Sequence, residues 1–202
     1  MSQLVEPDHR VLLSPSLQDL AQNLARSQSD GSQNTVFYYQ PIDVPNPFAA
    51  IAQAAAMVHA QPGARFGVMP GAPFFGVTTA CGFDTKSTAW RSLDWTRIDY
   101  LAIEGDSLLS DRCAGKSTVK DYANLLATIA GYVREKNPRI VITAQLSFRH
   151  TAPATMIAAA PQLSGLVDGF FFSYPMNPAM DRTYCTPQTL AAVLSALRPG
   201  GR

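Results

Sequence analysis

The stretch RIDYLAIEGDSLL (97–109) predicts a buried strand that ends in carboxylates. Glu104 follows its apolar run directly, and Asp106 comes one glycine later. Because side chains alternate across a strand, Tyr100 and Glu104 are expected to share one face, opposite a covering helix. Ligands of α/β folds bind at the carboxyl ends of parallel strands, so the two carboxylates mark a candidate site.

Similar apolar segments recur along the chain and predict six strands, at 10–13, 35–39, 65–69, 99–103, 140–146 and 169–173. Segments with helical spacing of apolar residues alternate with them. The clearest helix covers 119–133, with a capping pair at Thr118 and Asp121 and an end at Asn137-Pro138. This alternation predicts a mainly parallel sheet with helices outside it.

Two architectures fit the alternation. One is a (β/α) barrel of the TIM type, short or incomplete because a full barrel takes about 250 residues. The other is a doubly wound open parallel sheet, although no glycine-rich phosphate loop follows the first strand. In either case we expect one α/β domain over 1–202, with 1–9 as a loose tail.

Composition excludes several classes of function. The 202 residues are 47% apolar and 15% charged, which is typical of a folded core rather than disorder. A net charge of +1 without a run of basic residues gives no sign of a nucleic-acid-binding surface. No apolar run approaches the ~20 residues of a membrane span. The first residues lack the apolar core of a signal peptide, so a cytoplasmic protein is expected.

The cysteines and histidines give no sign of a metal site. Cys81, Cys113 and Cys185 show no CxxC spacing, and the three histidines are scattered. We expect three free thiols because disulfides are rare in the cytosol, with Cys113 and Cys185 as a pair that could meet above the sheet. No cofactor is expected.

Further polar side chains follow the other predicted strands. The alternation of Thr143, Gln145 and Ser147 on the fifth strand predicts a polar inner face that lines a cavity. We expect further substrate-binding side chains at the carboxyl ends of the strands, namely Tyr38, Gln40, Gln145, Arg149, His150 and Asn177. Glu104, Asp106 and Tyr174 are the expected catalytic residues.

The order of these motifs resembles that of chitinase-type glycoside hydrolase barrels. The fourth strand of that family carries Asp-x-Asp-x-Glu, in which Glu is the general acid. Here the frame is Tyr100-x-Ala102-x-Glu104, which keeps the Glu and lacks both Asp residues. The family's sixth strand ends in Met-x-Tyr-Asp, and FSYP (172–175) keeps only the Tyr, at position 174.

The resemblance covers roughly residues 65–178, and the chain also resembles uncharacterised barrel proteins with DGFxx at the sixth strand. It implies a (β/α) barrel with Glu104 and Tyr174 in the site. The missing aspartates normally assist an acetamido substrate, so the resemblance disfavours chitin-like substrates.

Together these features predict a small glycoside-hydrolase-like enzyme that acts on a small organic or sugar substrate. Glu104 would serve as general acid/base and Asp106 as its partner. Their Cα atoms would lie ~6.6 Å apart on an extended strand, which leaves retaining and inverting mechanisms both open. The alternatives are a cofactor-free lyase, isomerase or cyclase acting on an apolar intermediate, and a non-catalytic binding protein derived from a barrel.

Overall fold

The computed structural model describes residues 10–31, 34–41, 43–78, 80–84, 86–110, 113–148, 151–173 and 186–197. Within these ranges the strands are β1 (Arg10–Ser14), β2 (Thr35–Tyr39), β3 (Arg65–Val68), β4 (Tyr100–Ile103), β5 (Val141–Ser147) and β6 (Gly169–Ser173). The helices are α1 (Leu17–Ser29), α2 (Pro47–His59), α3 (Val119–Lys136), α4 (Pro153–Leu163) and α5 (Pro187–Ala196).

The strands form one parallel sheet whose spatial order is the order of the chain, β1-β2-β3-β4-β5-β6. Each strand is therefore connected to the next strand on the same side of it in the sheet. Because such parallel connections are right-handed, the connecting helices all lie on one face of the sheet. A doubly wound sheet reverses direction at a switch point, and the six described strands show no reversal. The order therefore confirms the expected incomplete (β/α) barrel and excludes the doubly wound alternative.

The sheet is curled, with a concave face opposite the helices. One register row crosses five strands through Leu13, Tyr38, Gly67, Tyr100 and Val141. β2 and β4 are two strand spacings apart, about 9.6 Å. The rings of Tyr38 and Tyr100 nevertheless lie 6.2 Å apart between centroids, because they meet over Gly67. A Cβ on Gly67 would lie 2.8 Å from the Tyr38 ring, so only glycine leaves room for this contact.

The other face of the sheet packs against the helices and forms the main core with them. Leu101 and Ile103 of β4 are fully buried there, as the alternation along that strand predicted. The covering helix α3 buries a single stripe, made of Tyr122, Leu125, Leu126, Ile129, Ala130 and Val133. Its start matches the predicted capping pair, since Thr118 and Asp121 bond each other reciprocally.

Acidic residues join neighbouring strands at the amino-terminal edge of the sheet. The Asp99 carboxylate, just before β4, accepts the backbone N–H of Phe66 at 2.8 Å. The Asp168 carboxylate, just before β6, accepts the backbone N–H of Ile142 at 2.7 Å and a guanidinium N–H of Arg134 at 2.8 Å. In barrels this edge serves stability, and these contacts fit that role.

The expectation of free thiols is wrong for two of the three cysteines. Cys81 and Cys113 form a disulfide, with Cα atoms 5.5 Å apart. They meet because the loops after β3 and β4, which are neighbouring strands, leave the sheet at the same edge. Cys185 lies outside the described residues. None of the described helices is both long and apolar enough to cross a bilayer.

Candidate active site at the carboxyl edge of the sheet

Glu104 lies where the sequence predicted, directly after β4 at the carboxyl edge of the sheet. Its side chain is half-buried. The strand before it is fully buried, so β4 cannot shift easily and the carboxylate is carried by a rigid element. Gly105 follows in close contact with α3, because a Cβ there would lie 2.6 Å from Leu125 and 3.0 Å from Tyr122. This packing sets where the chain turns away after Glu104.

Gln40 is brought to Glu104 from two strands away. Gln40 follows β2, and its Nε2 donates a hydrogen bond to Oε1 of Glu104 at 3.2 Å. The backbone N–H of Gln40 donates to the carbonyl of Ser14 at 3.0 Å, which holds the residue in line with its strand. An amide donor restrains the orientation of the carboxyl group that it bonds. The contact therefore presents Glu104 as an oriented carboxyl group.

The other carboxylate oxygen of Glu104 lies beside the segment that follows β3. A Cβ built on Gly71 would lie 3.8 Å from Oε2 of Glu104 and 3.7 Å from Cδ of Pro73. Gln40 thus contacts Oε1, and Gly71 lies near Oε2.

Tyr38 lies one layer deeper than Glu104 on the concave face, packed over Gly67 and beside Tyr100. Burial, and in addition the nearby Tyr100 phenol, raise the pKa of Tyr38 well above its ordinary value of 10.0. The phenol therefore stays protonated at any physiological pH. Beneath it, the guanidinium of Arg65 donates to the hydroxyl of Tyr100 at 3.0 Å. These side chains form a polar floor for the concave face.

Gln145 lies on β5, the strand next to Glu104. The register pairs Ala102 with Thr143 and Ile103 with Ala144, which brings the next positions, Glu104 and Gln145, level with each other. Gln145 is half-buried, and its backbone carbonyl accepts the hydroxyl of Tyr122 at 2.8 Å. The sheet thus carries Gln40, Glu104 and Gln145 to the same edge, which gives one carboxylate and two carboxamides.

The other predicted site residues lie wholly or partly outside the described part of the structure. The backbone of Asp106 lies in the short 3-10 helix Asp106–Leu109, but its side chain falls outside the described part of the structure. Arg149, His150, Tyr174 and Asn177 also lie outside the described residues. Their roles at the carboxyl edge of the sheet stay predictions. Among the described residues, no group of His, Cys, Asp or Glu could hold a metal ion.

Sequence reasoning missed the two glycines of this region. Gly67 accommodates the Tyr38 ring, and Gly71 lies beside the Glu104 carboxylate. The available signal was a glycine inside the apolar strand RFGV, since such a glycine often marks a close approach of another group. Gly71 sits in the segment PGAP (70–73), which resembles an ordinary turn.

No protein-family model matches this sequence, and no curated protein matches it. Solved structures do resemble it. A crystal structure from Coccidioides immitis, provisionally assigned as a deoxyribose-phosphate aldolase, superposes with a TM-score of 0.55 and 14% identity over 94% of this chain. The catalytic domain of a hyperthermophilic chitinase from Pyrococcus furiosus superposes with a TM-score of 0.52 and 10% identity over 98% of this chain. The chain is an incomplete (β/α) barrel.

The chain corresponds to only part of each of these structures. The chain spans 64% of the length of the aldolase structure and 71% of the chitinase domain. The resemblance to chitinase-type barrels is therefore confirmed for the fold. Identities this low carry no information about the reaction, which depends on the residues of the site.

Proposed function

We propose that this protein is a small acid/base enzyme in which Glu104 is the general acid/base. The observation that supports the proposal most strongly is the hydrogen bond from Gln40 to Glu104. It holds a half-buried carboxylate on the concave face at the carboxyl edge, where barrels bind their substrates. As the general acid, Glu104 would first donate its proton to the leaving group of the substrate and would regain a proton in a later step, while the hydrogen bond from Gln40 would stabilise the carboxylate formed in between.

The reaction that fits best is hydrolysis of a glycoside. Glu104 occupies the position of the general acid in the Asp-x-Asp-x-Glu motif of chitinase-type barrels. The carboxamides of Gln40 and Gln145 supply hydrogen-bond donors and acceptors for sugar hydroxyl groups. Glycosidases use two carboxyl groups, about 5–9.5 Å apart depending on the mechanism. Asp106 is the proposed second carboxyl group. The proposed substrate is a small sugar or polyol without an acetamido group.

A lyase of the Schiff-base type is disfavoured despite the aldolase neighbour. Such a mechanism needs a lysine amine in the site. The chain has four lysines, at 86, 116, 120 and 136, and all of them are exposed and lie outside the strands. A cyclase that acts on an apolar compound would need an enclosed aromatic pocket. The large aromatic cluster around Phe75, Trp90 and Trp95 belongs instead to the buried core.

The disulfide bears on where the enzyme works. Disulfides form and persist in oxidising compartments and are rare in the cytosol. The Cys81–Cys113 bond therefore favours an oxidising compartment over the cytoplasm that the sequence suggested.

A panel of substrates tests the proposed function. The wild type and Glu104→Gln are assayed on 4-nitrophenyl glycosides and on aldol-cleavage substrates, with Glu135→Gln as a control. Glu135 is an exposed glutamate that contacts Lys136 on α3, so the control makes the same chemical change away from the site. We expect glycoside hydrolysis by the wild type and the control, and none by Glu104→Gln. A non-catalytic binding protein would give no turnover with any of the three.

A further inference from the structure

A cavity of about 390 Å³ lies on the outer side of α3, away from the concave face that carries Glu104. The described residues that line it are Phe83, Asp121, Asn124, Ala127 and Thr128. The four from α3 lie outside the stripe with which this helix packs on the sheet. Ligand pockets enclose roughly 300–1,000 Å³, so the cavity is large enough for a small ligand. We call it the α3 cavity, and it is separate from the candidate active site.

The apolar wall of the α3 cavity is the ring of Phe83, in the loop after β3. The ring is half-buried because it packs against the main core, and the backbone of Phe83 pairs with Val77 in an antiparallel bridge. Cys81 of the same loop is bonded to Cys113, which precedes α3. The disulfide therefore joins the loop that carries the aromatic wall to the segment that leads into the opposite wall.

The α3 wall offers hydrogen-bonding groups to a ligand. Asn124 and Thr128 are exposed one turn apart on the helix, and neither side chain bonds to another described residue. Oδ2 of Asp121 accepts both hydrogen bonds from Thr118, at 2.7 and 2.8 Å, which leaves Oδ1 for a ligand. A carboxamide, a hydroxyl and a carboxylate oxygen together supply donors and acceptors. The small side chain of Ala127 leaves the space between them open.

The charges at the α3 cavity favour a neutral ligand. The carboxylate of Asp121 repels an anion, and the neighbouring Lys120 opposes the approach of a cation. An apolar compound would remove water from the Asp121 carboxylate without replacing its hydrogen bonds, which costs free energy. A sugar ring meets these conditions, because its C–H face packs on an aromatic ring while its hydroxyl groups bond to polar side chains.

We propose that the α3 cavity is a binding site for a neutral saccharide. Phe83 would stack against the sugar ring, and Asp121, Asn124 and Thr128 would bond to its hydroxyl groups. The site goes beyond the proposed function and does not depend on Glu104, since it would hold a saccharide whether or not the protein turns one over.

Binding to an array of immobilised oligosaccharides tests the proposal. The array carries neutral, acidic and amino-sugar chains, and it is probed with the wild type, Ala127→Arg and Asn124→Ala. Arginine at 127 would fill the cavity, and alanine at 124 would remove a hydrogen-bonding group. Both positions are exposed on a helix, so the fold should tolerate both changes. The controls Ala56→Arg and Gln53→Ala make comparable changes at exposed positions of α2.

We expect the wild type to bind neutral chains and Ala127→Arg to lose at least about tenfold of that binding. Asn124→Ala should lose about threefold to tenfold, the effect of removing one neutral hydrogen bond. Both controls should bind as the wild type does, and all variants should keep its unfolding midpoint. Binding of acidic or amino-sugar chains alone, binding of no chain, or full binding by Ala127→Arg would overturn the proposal.

The proposed function can fail separately from this site. Glu104→Gln should bind the array as the wild type does, because Glu104 lies on the other side of the sheet from the α3 cavity. Loss of array binding in Glu104→Gln with full binding by Ala127→Arg would place the saccharide at the candidate active site. That result would reject the site at the α3 cavity and leave the proposed function in place.

Discussion

Gln40 and Glu104 are 64 residues apart in the chain, and a hydrogen bond of 3.2 Å joins their side chains across β3. Long side chains directly after β2 and β4 can meet this way because the curled sheet brings its inner side chains together. The contact links the fold to the proposed chemistry, since it depends on the curl and orients the carboxylate.

Gln40→Leu is expected to lower kcat about tenfold and to change KM little. Leucine keeps the size of the side chain but removes the donor, and hydrogen bonds to charged groups contribute about 1.5–3 kcal/mol. Because Gln40 and Glu104 are both half-exposed, we expect the loss to lie near the lower end of this energy range. Steady-state kinetics measure it, with Gln53→Leu on the exposed side of α2 as the control. Wild-type kcat in Gln40→Leu would show that the hydrogen bond does not position Glu104.

Gly67→Ala is expected to destabilise the fold by about 1–3 kcal/mol, the usual cost of forcing extra volume into a packed interior. The added methyl group would lie 2.8 Å from the ring of Tyr38, which is already packed against Tyr100. Urea denaturation measures the change. Gly131→Ala serves as the comparison and should stabilise α3 slightly, because alanine favours a helix over glycine. Equal stability of Gly67→Ala and the wild type would contradict this packing.

Removal of the Cys81–Cys113 disulfide is expected to cost about 3–4 kcal/mol of stability. The two cysteines are 32 residues apart, and a cross-link across a loop of that length restricts the unfolded chain by this amount in the chain-entropy model. The double variant Cys81→Ser/Cys113→Ser is compared with Cys185→Ser by denaturation. A peptide map without reductant should show 81 and 113 linked. Recovery of both as separately alkylated peptides would refute the pairing.

Asp121 should make the stability of the protein depend on acidic pH. Its carboxylate accepts hydrogen bonds from the side chain and the backbone of Thr118, and these hold the pKa of Asp121 below its ordinary value of 3.8. A lowered pKa in the folded state adds stability above the unfolded value, and this contribution is lost as the pH falls through the folded value. Asp121→Asn should therefore weaken the protein at neutral pH and make little difference at strongly acidic pH. Denaturation curves at both pH values test this, and an equal loss at both would contradict it.

The local pattern of the sequence was enough to predict the strands and helices and to place Glu104 at the end of a strand. Alternating apolar segments predicted the strands, and the capping pair at Thr118 predicted the start of α3. The two candidate architectures share the same alternation and differ only in strand order. That order depends on which strands pair in space, so the sequence alone could not choose between them.

Contacts between distant segments could not be predicted for the same reason. The disulfide joins loops after two different strands, and the partner of Cys113 proved to be Cys81 rather than the Cys185 considered from the sequence. Phe75 and Trp90 lie in a segment without strand or helix periodicity, and their burial in the core also depends on distant parts of the chain. The proximity of Gly67 to Tyr38 and of Gly71 to Glu104 likewise depends on segments that only the folded sheet brings together.

The most direct test of the central claim is kcat/KM of Glu104→Gln relative to the wild type, measured on a glycoside that the wild type hydrolyses. General acid–base catalysis by one positioned group typically contributes 10²–10⁴-fold, so we expect a loss of at least about 100-fold with an unchanged unfolding midpoint. Glu135→Gln should keep the wild-type value. A kcat/KM of Glu104→Gln close to the wild type would contradict the assignment of Glu104 as the general acid/base.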